Sequence, residues 1–196
     1  KSTKFLISKV ETPYILPIGS DDYLIDYSKL DIAINMLKNN PSAVGCSFKA
    51  SFIYDKKFVA DKTNVALTGD TNNRFKKLFY YFGANSRYYG IIKTDLFRKY
   101  YPEESYFGDD AVLSSRILKH GEWLYTSEIN LHRERGGSSN PFKINKSHNF
   151  MFIPPLRFAY EMLSIEKNFS IGVKLAFSTY FLKILIGPIK HILYRR

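Results

Sequence analysis

The spacing of apolar positions changes character several times along this chain. Leu30, Ile34 and Leu37 recur at helical intervals between Asp26 and Lys38, and Asn39-Asn40-Pro41 ends the run. Ala43–Tyr54 is rich in β-formers and predicts a strand. Upstream, residues 3–10 suit the last turns of a helix closed by Pro13, and Tyr14–Ile18 suits a short buried strand. Downstream, the polar stretch Asp55–Asn73 reads as loop with a short strand near Phe58-Val59. Arg74–Phe82 predicts a helix ending at Gly83, Arg87–Lys93 a strand, and Thr94–Tyr100 a short helix with Thr94 as N-cap. Next, Asp109 or Asp110 caps a helix that buries Val112, Leu113, Ile117 and Leu118, and Gly121 stops it. Trp123–Tyr125 and Ile129–His132 read as short strands, and Arg133–Ser147 as a basic loop rich in Gly, Ser and Asn. Pro154-Pro155 opens one helical run, and a second covers Ser170 to Ile186 before Gly187-Pro188 breaks it. Strands alternating with helices up to residue 132 predict an α/β layer structure.

Composition narrows the class. With 45% hydrophobic residues the chain is not a disordered composition, and its single cysteine, Cys46, excludes an internal disulfide framework and argues against a zinc cluster. Cys46 itself reads as a small buried apolar residue. The net charge is +11, and residues 151–196 hold seven Lys or Arg against two acids. Such a balance admits phosphate-bearing partners: nucleic acid, anionic lipid or a nucleotide-linked substrate. Texture also shifts near Phe150, which divides the chain into 1–149 and 150–196. No uncharged apolar run reaches roughly 18 residues, so a simple membrane-spanning helix is not expected. From Leu175 to Ile189 the only charge is Lys183, and aromatic and basic residues flank the run. That suits a helix lying in a membrane interface, or an amphipathic helix packed on the domain or in a homodimer.

Three clusters carry candidate chemistry. Ser20-Asp21-Asp22 follows an apolar stretch; carboxylates at a strand end can hold Mg²⁺ or Mn²⁺, or can serve as turn formers. Gly108-Asp109-Asp110 opens a helix; its acids can cap that helix or face a cleft as a general base. His132-Arg133-Glu134-Arg135-Gly136-Gly137 can clamp a diphosphate through guanidinium groups and backbone N–H, or form a solvated basic loop.

The order "GSDDYL", "RYYGIIKTDLFRK", "FGDD", "RERGGSS" resembles the family 2 glycosyltransferases, an inverting group with a GT-A fold, over roughly residues 3–140. The resemblance implies a partial GT-A (Rossmann-like) mixed sheet flanked by helices, with C-terminal amphipathic helices. It implies that Asp21 and Asp22 grip a nucleotide-sugar diphosphate through Mn²⁺ or Mg²⁺. Asp110 would be the general base, with Asp109 where the family usually has Glu. Arg133 and Arg135 would meet the leaving diphosphate, and His132 is a further metal-ligand candidate. Gly19 stands where the family has the first acid of its DxD motif, which puts one metal or ribose contact in doubt. Members begin with a strand like "VSIIIPTYN" and two further βα units that bind base and ribose. This chain starts close to its acidic motif, so the resemblance leads one to expect little transfer from these 196 residues alone. The implied partners are a nucleotide-sugar donor, a glycan or lipid-linked acceptor and an anionic membrane surface at the inner, cytoplasmic face, with no nucleic acid. A basic, aromatic-rich nucleic-acid or polyanion module is the rival reading, against which the two acidic pairs count. A non-catalytic relative is a third.

Overall fold

The computed structural model describes residues 2–19, 22–54, 57–83, 85–134 and 154–193. Among them, six strands form one mixed sheet: β1 (Tyr14–Ile15), β2 (Asp22–Leu24), β3 (Ala43–Tyr54), β4 (Lys57–Ala60), β5 (Ile91–Lys93) and β6 (Glu122–Glu134). Their order is β1-β5-β3-β6-β2, with β4 folded back on the far end of β3. β3 and β6 run parallel at the centre, and every other pairing is antiparallel. Between β3 and β6 the register slips. Phe48 faces Thr126 and Lys49 faces Asn130, so Ser127, Glu128 and Ile129 fall between the two pairings.

The helices are α1 (Ser2–Ser8), α2 (Leu30–Asn39), α3 (Thr71–Tyr80), α4 (Thr94–Tyr100), α5 (Asp109–Leu118), α6 (Pro154–Ser164) and α7 (Ile171–Leu193). They cover both faces of the sheet. Neighbouring residues Ile91 and Ile92, and likewise Trp123 and Leu124, enter opposite hydrophobic clusters, as strand alternation requires. The smaller cluster seats Ala33 and Leu37 of α2 on Cys46, Phe48, Leu124 and Leu131. The larger gathers Phe75, Phe79, Phe97, Val112 and Ile117 with Phe158, Phe169 and Phe177. Each such aromatic removed from water contributes about 1.5–3 kcal/mol. Helices α6 and α7 therefore share the core of the sheet domain. Arg74 ties α3 to the end of α5 by donating to the carbonyls of Gly69, Leu118 and Lys119.

Several elements differ from the sequence expectation, each for a local reason. β1 stops at Ile15 and is only half-buried, because it is an edge strand with Pro17 close behind. β2 was not expected: three residues carry no periodicity, and it forms because β6 runs on far enough to pair with it. α3 starts at Thr71, where the Asp70 carboxylate accepts from Asn73 N at 2.8 Å and caps it. The front of the expected Arg87–Lys93 strand is a 3₁₀ turn, Ser86–Tyr89, which Gly90 closes by donating to Arg87 O. Thr94 does not cap α4; its side chain is buried and its N–H donates to Pro13 O. The two short strands expected after Gly121 are one strand, β6. Gly187-Pro188 does not end α7, which continues to Leu193. A glycine before proline has no Cβ to clash with the ring, which removes part of the penalty.

Candidate functional site

One end of the sheet brings β2, β6, the 3₁₀ turn and the start of α5 together. Asp22 lies directly opposite Arg133, Tyr23 opposite His132, and Leu24 opposite Leu131. The Asp22 carboxylate is 3.7 Å from Arg133 Nε, with the two side chains 4% and 15% exposed. Arg133 Nη1 donates to Ser86 Oγ at 3.1 Å, and that hydroxyl donates to Asp61 Oδ2 at 2.6 Å. The guanidinium lies over the Tyr89 ring at 4.3 Å and near Phe52 at 5.4 Å. This cation is thus held on several sides.

Asp109 and Asp110 divide their labour. Gly108 sets the start of α5 in a left-handed conformation, φ 77, and a Cβ there would come within 2.6 Å of the Phe158 ring. Asp109 turns back to the preceding loop, accepting from Ser105 Oγ at 2.7 Å, Tyr106 N at 3.3 Å and Asp110 N at 2.8 Å. Its carboxylate stabilises the first turn of the helix. Asp110 points elsewhere: Asn85 Nδ2 donates to its Oδ2 at 3.0 Å. Burial pushes the Asp110 carboxyl above its ordinary value; the Asn85 bond opposes this, and the Asp109 charge adds to it. Arg133 is near enough to pull it down slightly, which sets the two groups in one field. Tyr89 reports the same juxtaposition: burial raises its hydroxyl, Arg133 opposes, and Asp22 and Asp110 both add.

His132 is on the other side of the sheet. Strand alternation sends it away from Arg133 and Asp22, and its ring lies 5.3 Å from Tyr23 and 4.4 Å from Phe58. Burial lowers its basicity. The structure therefore does not bring His132 to Asp22. The Asp22 N–H donates to Gly19 O at 3.2 Å. Ser20, Asp21 and Arg135 lie outside the described residues. Of the expected metal donors, the described ones supply only Asp22 to this face. Among the described residues no group of three His, Cys, Asp or Glu could hold a metal ion.

Sequence reasoning missed Asn85, Ser86, Asp61 and Tyr89. Asn85 is left-handed, φ 50 and ψ 41, and a conformation that Asn tolerates unusually well was the available signal. Arg87, beside them, is buried and lowered to about 10, chiefly by desolvation; its Nη2 donates to Thr63 O. The chemistry on offer is simple. A guanidinium with its carboxylate can bind or release an anion, and a carboxyl of raised proton affinity can take a proton. No protein-family model matches this chain, and no curated protein matches it.

Proposed function

We propose that this chain is part of a glycosyltransferase of the GT-A, Rossmann-like kind, moving a sugar from a nucleotide to a hydroxyl with inversion. The observation that supports it most is the placing of Asp110 and Arg133 in one electrostatic neighbourhood, although they come from a helix start and a strand end. Asp110, with its raised proton affinity, takes the proton of the acceptor hydroxyl as the oxygen attacks the anomeric carbon. The bond to the nucleoside diphosphate breaks, and Arg133 meets the charge that appears on the departing phosphate. A positioned base typically contributes about 10²–10⁴-fold. Asp109 serves by fixing the helix start from which Asp110 projects. Asp21 and Asp22 would hold Mn²⁺ or Mg²⁺, which would supply further positive charge.

Thermal shift separates this from a polyanion-binding module. The transferase reading expects a nucleoside diphosphate with Mn²⁺ to raise the melting temperature, more than either alone. Stabilisation by an oligonucleotide instead, lost in salt, would favour the module.

The acceptor side of the proposal is a lipid-linked or surface glycan at an anionic membrane. Exposed Leu156, Tyr160 and Leu163 line one side of α6, and exposed Ile171, Leu175 and Leu182 one side of α7. Lys167, Lys174 and Lys183 are exposed beside them. No helix among the described residues is long and apolar enough to cross a membrane. The stripes and lysines suit lying on one, with roughly 1 kcal/mol per well-placed lysine. Flotation with anionic vesicles tests this: L175E/L182E is expected to abolish binding, and equal flotation of variant and parent contradicts it.

A further inference from the structure

We propose that Asn85 is a positioning residue for Asp110, its amide holding the carboxylate in the orientation in which it accepts the proton. This rests on the transferase reading and deepens it. Three observations carry the inference. The first is the bond itself, Asn85 Nδ2 to Asp110 Oδ2 at 3.0 Å, made by a side chain only 4% exposed. The second is backbone conformation. Asn85 is the one non-glycine residue with positive φ among the described residues, a conformation unfavourable for most side chains. The third is polar cost: Asn85 Oδ1 is buried without a hydrogen-bond partner among the described residues. A buried amide with its oxygen unsatisfied is poor at building stability. What it supplies is a neutral donor, with Nδ2 also 3.5 Å from Ser114 Oγ on the same helix.

A neutral donor suits a base better than a cation does. A salt bridge would lock the carboxylate in its charged form and lower its proton affinity, whereas an amide orients it and perturbs it less. The other groups facing Asp110 are Asp109 from its own helix, Arg133 from β6, Tyr88 and Tyr89 from the 3₁₀ turn, and Tyr180 from α7. Asn85 is the side chain among them that hydrogen-bonds the carboxylate. Its two neighbours complete the scaffold: Ser86 receives Arg133, and Arg87 anchors the turn on Thr63. Three consecutive residues thus set the distance between proton acceptor and anion-binding guanidinium.

The test is a carboxyl ¹³C NMR titration of the full chain labelled at aspartate, with D110N used to assign the Asp110 resonance. N85G keeps the left-handed backbone and removes the side chain that carries the amide. Losing a donor to the charged form should raise the Asp110 midpoint by about one pH unit, with other aspartates unmoved. N85D keeps the shape and replaces the donor by a second carboxylate, and should raise it further. N85D decides the matter if N85G does not fold. An unmoved Asp110 midpoint in a folded variant overturns the proposal. No donor or acceptor enters this titration, so it stands apart from the transferase reading, whose failure would show as lack of diphosphate binding by the same unsubstituted sample.

Discussion

Asp22 and Asp110 stand on two sides of one site and keep different company. Asp22, on an edge strand, faces the Arg133 guanidinium 3.7 Å away, in a setting that pairs charge with charge. Asp110, at the start of α5, faces an amide and is shielded enough that its proton affinity rises. The first arrangement suits holding and releasing an anion, since Arg133 can exchange a carboxylate for a phosphate of similar geometry. The second suits accepting a proton. Two acids of the same type thus acquire different surroundings from their partners alone, and Asp109, adjacent in sequence to one of them, acquires a structural place at the helix start.

The most damaging way to break this contrast is to remove the cation. R133M removes the cation that faces the buried Asp22 carboxylate and should lower the unfolding free energy by about 3 kcal/mol in urea titrations. The double variant D22N/R133M should regain most of the loss, and additive losses would mean that the pair is not coupled. Next comes the helix start. G108A forces a Cβ into the left-handed region and against Phe158, and should cost about 2 kcal/mol while moving Asp110 off Asn85. The 3.0 Å bond offers a readout, since the Asp110 resonance should shift in G108A.

Opposite in sign is D110N. Its raised proton affinity means that native Asp110 binds a proton more readily than the unfolded chain does. Stability is therefore lost as pH rises from the ordinary carboxyl range through the higher native value, and no further above it. D110N should escape that loss and be more stable than the parent near neutral pH, with the gap closing in acid. A D110N chain less stable than its parent would mean that the carboxylate serves the fold. The smallest effect lies across the sheet. His132, lowered by burial from its ordinary value, contributes stability that is lost as pH falls below the usual imidazole range. H132Q should flatten the loss and should leave diphosphate binding untouched.

Legibility in the sequence followed range. β3 spans Ala43–Tyr54 as its β-rich composition indicates, and α5 follows from the apolar spacing of Val112, Leu113, Ile117 and Leu118. Those are local signals. β2 is three residues whose existence depends on β6, more than a hundred positions later, and no window contains both. Asn85 and Ser86 matter because of Asp110 and Arg133, separated from them by 25 and 47 positions, so turn chemistry was visible and their task was not. His132 shows the reverse error. Placed one residue from Arg133 it reads as part of the same cluster, yet the two-residue period of a strand turns it to the opposite face. The expected cap at α5 was misplaced: the N-cap is the left-handed Gly108, which makes no side-chain cap, and Asp109 and Asp110 both lie inside the first turn.

The central claim is that anion binding resides at Asp22 and Arg133 and proton uptake at Asp110. Isothermal titration of a nucleoside diphosphate with Mn²⁺ into the parent chain, D22N, R133M and D110N tests it most directly. The account predicts binding by the parent and by D110N within about twofold of each other, a loss of about tenfold or more in R133M, the value of one charge-assisted contact, and in D22N a loss of the part of the affinity that depends on Mn²⁺. Equal binding by all four chains, or weakening in D110N alone, would contradict it.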